Sequence, residues 1–405
     1  MKRLKAVSIL ITIAGIVTIS TSCQSNAARR AAAEKRMAVT DSSVYTLGLS
    51  AEEKEAILHA PRTLQMQQDL NAFYHNKLLR TGFNGSMIVA RKGVIIFEQY
   101  HGLENFRSKT AIIDSSSFQM ASVSKTFTGA AVLWLADHEK LSLQDSLQKF
   151  FPEFPYKGIT VQMLLTHRSG LPNYLYFCDS LWKDQAAFIT NDEVIRLMEA
   201  HKPPIQHLPD THFQYCNTNY LLLASIIEKV SGQKYADFMQ QTFFEPLGMH
   251  NTFVYAPNTA ARAHQTQSHK YNGQLEPDTY FDGVMGDKGI YSSARDMLKW
   301  DQALYSGKLL KPETLKAAYT PYSHEKPGVR NYGLGWRLMV YPDSSKNIVY
   351  HNGWWHGNNT VFYRFVQDST TLIILGNKYN RGIYQAVKPI REIIGHGDGE
   401  EAGEE

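Results

Sequence analysis

The chain has 405 residues, 43% hydrophobic and 20% charged, which excludes a collagen-like repeat, a polytopic membrane protein and a largely disordered chain. Its length suits two lobes or one large interrupted fold. The formal charge is only +4, and Lys2, Arg3 and Lys5 cluster at the start, so no basic stripe points to nucleic acid.

That cationic start runs into the apolar stretch Ala6 to Ser20 and then small residues ending at Cys23. This is the layout of a secretory signal peptide over residues 1–22. The apolar run is shorter than the roughly 20 residues a spanning helix needs. Ser20-Thr-Ser-Cys23 is similar to the bacterial lipobox, with Ser20 in place of the usual leucine. Lipidation of Cys23 would make the membrane a partner through an N-terminal lipid anchor. Ordinary signal cleavage at a nearby small residue and a retained anchor are the alternatives. Residues 23–63 read as a tether and N-terminal extension.

A helix is predicted from about Leu64 to Leu79, burying Leu64, Leu70, Phe73 and Leu78. Ser86 to Arg91 and Val94 to Tyr100 read as strands joined by the tight turn Lys92-Gly93. A long apolar helix follows over Ala121 to His138, then helical segments broken by Pro and Gly from Leu141 to Gly286. Strand texture returns in Tyr332–Val340, Asn347–His351, Thr360–Val366 and Thr371–Leu375, the last three suiting an antiparallel meander. Gln385 to Ile394 reads as a closing helix, and 395–405 as an acidic disordered tail. The expected architecture is α/β (α+β): an antiparallel sheet built from 64–139 and 285–394 and flanked by helices, with a mainly helical lobe, 140–284, inserted.

Ser122-Val-Ser-Lys125 sits at the start of the long helix, and a spacing of three puts both side chains on one face. A serine hydroxyl is a weak nucleophile until a neighbouring base takes its proton, and a buried amine can do so. The helix start adds unpaired N–H groups where an oxyanion would form. The pattern alone is weak, because Ser146–Lys149, Ser180–Lys183, Ser231–Lys234 and Ser323–Lys326 share it. The histidines show no His-Glu-x-x-His, and His351 and His356 flank two tryptophans in a spacing that serves a strand and turn better than a metal. No metal or other cofactor is expected. Cys178 and Cys216 are either two buried thiols or a disulfide pair.

Context singles out Ser122. Residues 118–155, FQMASVSKTFTGAAVLWLADHEKLSLQDSLQKFFPEFP, resemble the nucleophile segment of the beta-lactamase-related serine hydrolases, which include class C beta-lactamases, DD-peptidases, esterases and D-aminopeptidases. Further matches follow in order: Leu164 to Pro172 (LLTHRSGLP), Tyr215-Cys-Asn217, Gly289 to Asp296 (GIYSSARD), Tyr332 to Trp336 (YGLGW) and His351-Asn-Gly353. The resemblance spans roughly 64–394 and implies the beta-lactamase/transpeptidase-like fold. It also implies Ser122 as nucleophile, Lys125 and Tyr215 as the proton-handling pair, and Asn217 orienting Lys125 and the substrate carbonyl side. His351, Asn352 and Gly353 would line the cleft, with Gly353 admitting the substrate backbone. The backbone N–H groups of Ser122 and Trp354 would form the oxyanion hole. A second Tyr-x-Asn, Tyr74-His-Asn76, falls on the N-terminal helix and is expected at the surface.

Three departures bear on substrate. Asn352 stands where a hydroxyl residue is usual, Trp354-Trp355 follow the glycine in place of small residues, and Asp287-Lys288 replace small residues before Gly289. The expectation is an exported serine hydrolase of small-molecule or peptide esters or amides, facing the periplasm or cell surface of a bacterium, with weak beta-lactam turnover. A D-alanyl-D-alanine carboxypeptidase or beta-lactamase is one alternative, and a catalytically silent penicillin-binding-like protein another.

Overall fold

The computed structural model describes residues 48–397. The signal segment, Cys23 with its expected lipid, the tether up to residue 47 and the tail from residue 398 lie outside them. The first element is a helix the sequence reading missed, α1 (Ala51–His59), started by a reciprocal Ser50–Glu53 capping box. Next comes α2 (Pro61–Phe73), which continues through a wide turn over Tyr74–Leu78. Its buried side is Thr63, Met66, Leu70, Tyr74 and Leu78, so Leu64, expected inside, is 43% exposed. Of the Tyr74-His-Asn76 motif, expected at the surface, Tyr74 is only 1% exposed, while His75 and Asn76 face outward.

Strands β1 (Gly85–Arg91) and β2 (Val94–His101) form the predicted hairpin, and Lys92 and Gly93 both take positive φ at its turn, 49° and 77°. Short pieces β3 (Leu103–Asn105), β4 (Thr110–Ala111) and β5 (Phe118–Gln119) lead to α3 (Ser124–Asp137), preceded by one 3-10 turn over Ala121–Val123. The middle of the chain supplies α4 (Leu147–Phe150), α5 (Val161–Leu165), α6 (Tyr174–Leu181), α7 (Asn191–His201), α8 (Asn217–Ser231) and α9 (Tyr235–Met239). Strands β6 (Phe253–Val254) and β7 (Ile290–Ser292) pair with β5 in a small sheet. After α10 (Ala294–Tyr305) and α11 (Pro312–Ala318), five strands close the main sheet. They are β8 (Arg330–Tyr332), β9 (Arg337–Met339), β10 (Ile348–Trp355), β11 (Asn358–Phe365) and β12 (Thr370–Gly376). The predicted strand Tyr332–Val340 is therefore two strands, split where Gly335 turns at φ 94°. The closing helix is α12 (Gly382–Gln385) followed by α13 (Val387–Ile394). Gly395 caps it, and His396, expected in the disordered tail, stacks on Phe365 with ring centroids 4.2 Å apart.

The main sheet is antiparallel in the order β2-β1-β12-β11-β10-β9-β8, so both ends of the chain meet at the β1–β12 pair. Side chains alternate between its two faces. Met87, Val89, Leu372 and Ile374 join Met66, Leu70, Ile390 and Ile394 beneath α2 and α13. Ile88, Ala90, Ile373 and Leu375 face the larger core with Phe127, Trp300 and the middle helices. That core runs without interruption through residues on both sides of the expected 139/140 and 284/285 boundaries.

Candidate active site

Helix α3 is buried on nearly every side, and its first turn carries the Ser-x-x-Lys pair into the interior. Ala121, just before Ser122, has φ 47°, a left-handed conformation that a residue with a Cβ holds only under tertiary constraint. The constraint comes from β10 and β11. A Cβ on Gly353 would run into Thr360 Oγ1 and the Met120 carbonyl oxygen, and Thr360 Oγ1 donates to that oxygen at 2.9 Å. The space beside Gly353 is thus taken by the chain's own nucleophile turn, rather than left for a substrate backbone. Tyr384 fixes the other side, its hydroxyl donating to the Gly353 carbonyl at 2.6 Å.

Lys125 is 0% exposed. Its Nζ donates to Ser122 Oγ at 3.1 Å and to the Asp287 carbonyl oxygen at 2.9 Å, neither of them anionic. It also stands 5.0 Å from the centre of the Tyr215 ring and 5.6 Å from that of Tyr220. Asn217 opens α8 beside the cavity, and Lys125 turns to the Asp287 carbonyl instead of to it.

Several buried polar atoms around this pair have no hydrogen-bond partner: Tyr215 Oη, Asn217 Oδ1, Asn352 Oδ1, Asp287 Oδ1 and His167 Nε2. Native proteins leave few such groups, since each forgoes about 1–3 kcal/mol. Asn217 and Asp287 line the same cavity as Ser122, where their free oxygens are open to a ligand.

His351 does not point a charge into the cleft. Its Nδ1 lies 2.8 Å from the Asn352 carbonyl oxygen, so that nitrogen carries the hydrogen and Nε2 accepts from the Tyr332 hydroxyl at 3.2 Å. Burial foremost, then Arg337 and Lys125, hold its pKa well below the usual imidazole range. His167 is depressed likewise, by burial and then Lys125, His351 and Arg337; its Nδ1 accepts from the Cys216 N–H at 3.2 Å. Beyond Lys125, the cation facing Tyr215 is Arg337, whose guanidinium carbon lies 4.9 Å from the ring centre. Sequence reading passed over Arg337, although it directly follows the Tyr332–Trp336 match, and over His167 inside the Leu164–Pro172 match. Neither carries a signature beyond its neighbours.

A cavity of about 580 Å³ opens beside Ser122 and Asn217, walled by Leu175, Tyr271, Trp354, Trp355 and Tyr379, with Asp287 and Lys288 in its lining. Trp354 is 63% exposed, yet its Nε1 donates to the His356 carbonyl oxygen at 2.8 Å, which fixes the indole. Tyr215 does not line this cavity, nor do His351, Asn352 and Gly353, which were expected on its wall. In each of the other four Ser-x-x-Lys pairs the lysine is exposed. Cys178 and Cys216 are free buried thiols.

Metal-ligating atoms of Asp278, Asp282 and His356 lie within 4.8 Å of one another among the described residues. They are already partnered within the protein: Asp282 accepts from its cluster neighbour His356 at 2.8 Å and from Trp355 Nε1 at 2.7 Å, and Asp278 from Tyr255 at 2.5 Å. Burial works against the Asp282 charge, but His356 and Lys288 hold its pKa below the usual carboxylate range.

A serine and a buried lysine in contact beside a cavity, and a sheet closed from both ends, agree with what similarity finds. The chain is 32% identical over 327 residues to penicillin-binding protein 4* of Bacillus subtilis (strain 168), covering 76% of this chain and 72% of that protein. Two solved structures share the fold. One is a penicillin binding protein from Bacillus halodurans (TM-score 0.69, 23% identity, 79% of this chain and 98% of that one). The other is a D-amino acid amidase from Ochrobactrum anthropi SV3 (TM-score 0.67, 22% identity, 82% and 98%). The sequence profile described as Beta-lactamase matches residues 80–389, and the chain belongs to that family of serine hydrolases.

Proposed function

We propose that the chain hydrolyses an ester or amide through an acyl-enzyme on Ser122. Ser122 Oγ attacks the carbonyl carbon while its proton passes to the Lys125–Tyr215 pair. That pair returns the proton to the leaving group, and water then cleaves the acyl-serine bond. The observation that carries this reading is the 3.1 Å contact between Ser122 Oγ and the fully buried Lys125 Nζ, at the mouth of a cavity. Lys125 and Arg337 supply positive charge around Tyr215, whose hydroxyl waits without a partner. The backbone N–H groups of Ser122 and Trp354 form the oxyanion hole. Asn217, which lines the cavity, turns its free oxygen to the substrate, and Gly353 holds the strand against the nucleophile turn. His351 acts as a neutral hydrogen-bonding residue through Tyr332.

The aromatic wall suits a substrate with a bulky apolar group, and Trp354-Trp355 close the side where a beta-lactam carboxylate would lie. Export by the 1–22 signal, lipidation at Cys23 and an extracytoplasmic location complete the proposal. They are supported by the N-terminal residues and by relatives named as penicillin-binding proteins. Those names also favour a second reading, a D-alanyl-D-alanine carboxypeptidase acting on cell-wall peptides.

Incubation with a fluorophosphonate and with a labelled penicillin, followed by mapping of the modified residue, separates the readings. Fluorophosphonate at Ser122 without penicillin supports the esterase or amidase. Both at Ser122 support the carboxypeptidase. Modification of Ser122 by neither overturns the catalytic proposal in favour of a silent binding protein. Rapid hydrolysis of a chromogenic cephalosporin overturns the expectation of weak beta-lactam turnover.

A further inference from the structure

Asp287 and Lys288 line the cavity beside Ser122, yet both are almost fully buried, at 2% and 3% exposure. The segment that carries them is strapped at both ends. The Met285 N–H donates to Asn191 Oδ1 at 3.0 Å, Thr128 Oγ1 donates to the Gly286 carbonyl at 2.7 Å, and the Ile290 N–H donates to Ser124 Oγ at 3.2 Å. Between those straps, side chains take over. Tyr174 Oη donates to Asp287 Oδ2 at 2.9 Å and accepts from Lys288 Nζ at 2.8 Å. Lys288 Nζ also donates to the Val284 carbonyl at 3.2 Å and stands 3.7 Å from Asp287 Oδ1. Tyr174 is anchored in turn, its N–H donating at 2.8 Å to Thr218 Oγ1, next to Asn217.

At the end of this network the Asp287 carbonyl oxygen meets Lys125 Nζ. An ammonium has three donors and follows its acceptors. The other groups around Lys125 are poor substitutes: the faces of Tyr215 and Tyr220, the buried His167 and His351, and the like charge of Lys288. The segment thus presents to Lys125 the one well-placed acceptor besides Ser122, the Asp287 carbonyl dipole.

We propose that Tyr174, Asp287 and Lys288 are positioning residues for acyl transfer, holding the Asp287 carbonyl against the Lys125 ammonium and so keeping it in reach of Ser122 Oγ. The inference rests on Ser122 being the nucleophile. Misplacement of a catalytic group by about an ångström can cost 10²-fold in rate without weakening substrate binding. The test is the second-order rate of Ser122 modification by a fluorophosphonate, with kcat and KM on a p-nitrophenyl ester, in Tyr174→Phe, Asp287→Ala and Asp287→Asn. Tyr174→Phe and Asp287→Ala should slow modification and lower kcat at least about 10-fold, with KM within about 2-fold. Asp287→Asn keeps an oxygen acceptor for Tyr174 and should recover to within about 3-fold of the parent. If Asp287→Ala fails to fold, Tyr174→Phe, which removes one oxygen atom, carries the test. Parent-like rates in Tyr174→Phe and Asp287→Ala, or an Asp287→Asn as slow as Asp287→Ala, overturn this inference alone. A parent protein that is not modified at Ser122 overturns the nucleophile reading and this inference together.

Discussion

The two neutral histidines behind the site make the fold sensitive to mild acid in a way one substitution can dissect. His351 and His167 are fully buried with pKa values well below the ordinary imidazole range, while in the unfolded chain both titrate near about 6.5. The unfolded state therefore binds more protons below that pH, and stability present above about pH 6.5 drains away as the pH falls. Between pH 7.5 and 5.5 each histidine contributes a loss on the order of 1 kcal/mol. His351→Gln keeps groups able to meet Tyr332 and the Asn352 carbonyl but cannot titrate. Urea unfolding at pH 7.5 and 5.5 should show the parent losing more stability than the variant, by one histidine's share. An unchanged pH slope in His351→Gln would refute a neutral buried imidazole at this position.

Ser122→Ala should lower turnover on any accepted ester by at least about 10³-fold while leaving the melting temperature within a few degrees; surviving activity would show a different nucleophile. Gly353→Ala forces a methyl into Thr360 and the Met120 carbonyl, so it should destabilise by about 1–3 kcal/mol. Fluorophosphonate labelling of Ser122 in that variant should fall further than stability alone explains. Asp301→Ala strands the fully buried Arg364, whose Nε lies 2.5 Å from Asp301 Oδ1, and should cost about 3–5 kcal/mol in chemical unfolding, with no specific loss of labelling. Burial pushes the thiol of Cys178 up to about 12 and that of Cys216 up to about 11. Neither should react with iodoacetamide at pH 8 until urea unfolds the protein, and rapid native labelling would contradict the burial.

The fold was legible where patterns repeat. The continuous apolar and β-branched runs of the closing meander, the Lys92-Gly93 turn and the apolar helix after Ser122 each carry a local signal strong enough to survive tertiary context. Helix α1 was missed because its apolar content is slight and its start is marked only by the Ser50–Glu53 box. The side of α2 shifted because Thr63 and Tyr74 bury as readily as leucine when opposite an apolar sheet. At the site, Ser122 and Lys125 are near neighbours in sequence, so spacing alone brings them together. Arg337 reaches Tyr215 from a strand more than a hundred residues away, and His351 spends its hydrogen bonds on its own strand and on Tyr332. Such long-range pairings leave no trace in local composition. Nor does the charge of a buried imidazole, which its surroundings decide.

The pairing of β1 with β12, Gly85 against Gly376, has a consequence for how the protein comes into being. During synthesis Ser122 and Lys125 emerge first, and the strand bearing Gly353 that clamps their turn, with the strand that closes the sheet, follows only after the helical middle of the chain. Any product cut short before them has the catalytic residue types without the left-handed turn at Ala121, the Thr360 clamp or the cavity wall of Trp354 and Trp355. Competence to cleave bonds is thus tied to closure of the sheet. A cell making this hydrolase need not guard against forms cut short before the sheet closes.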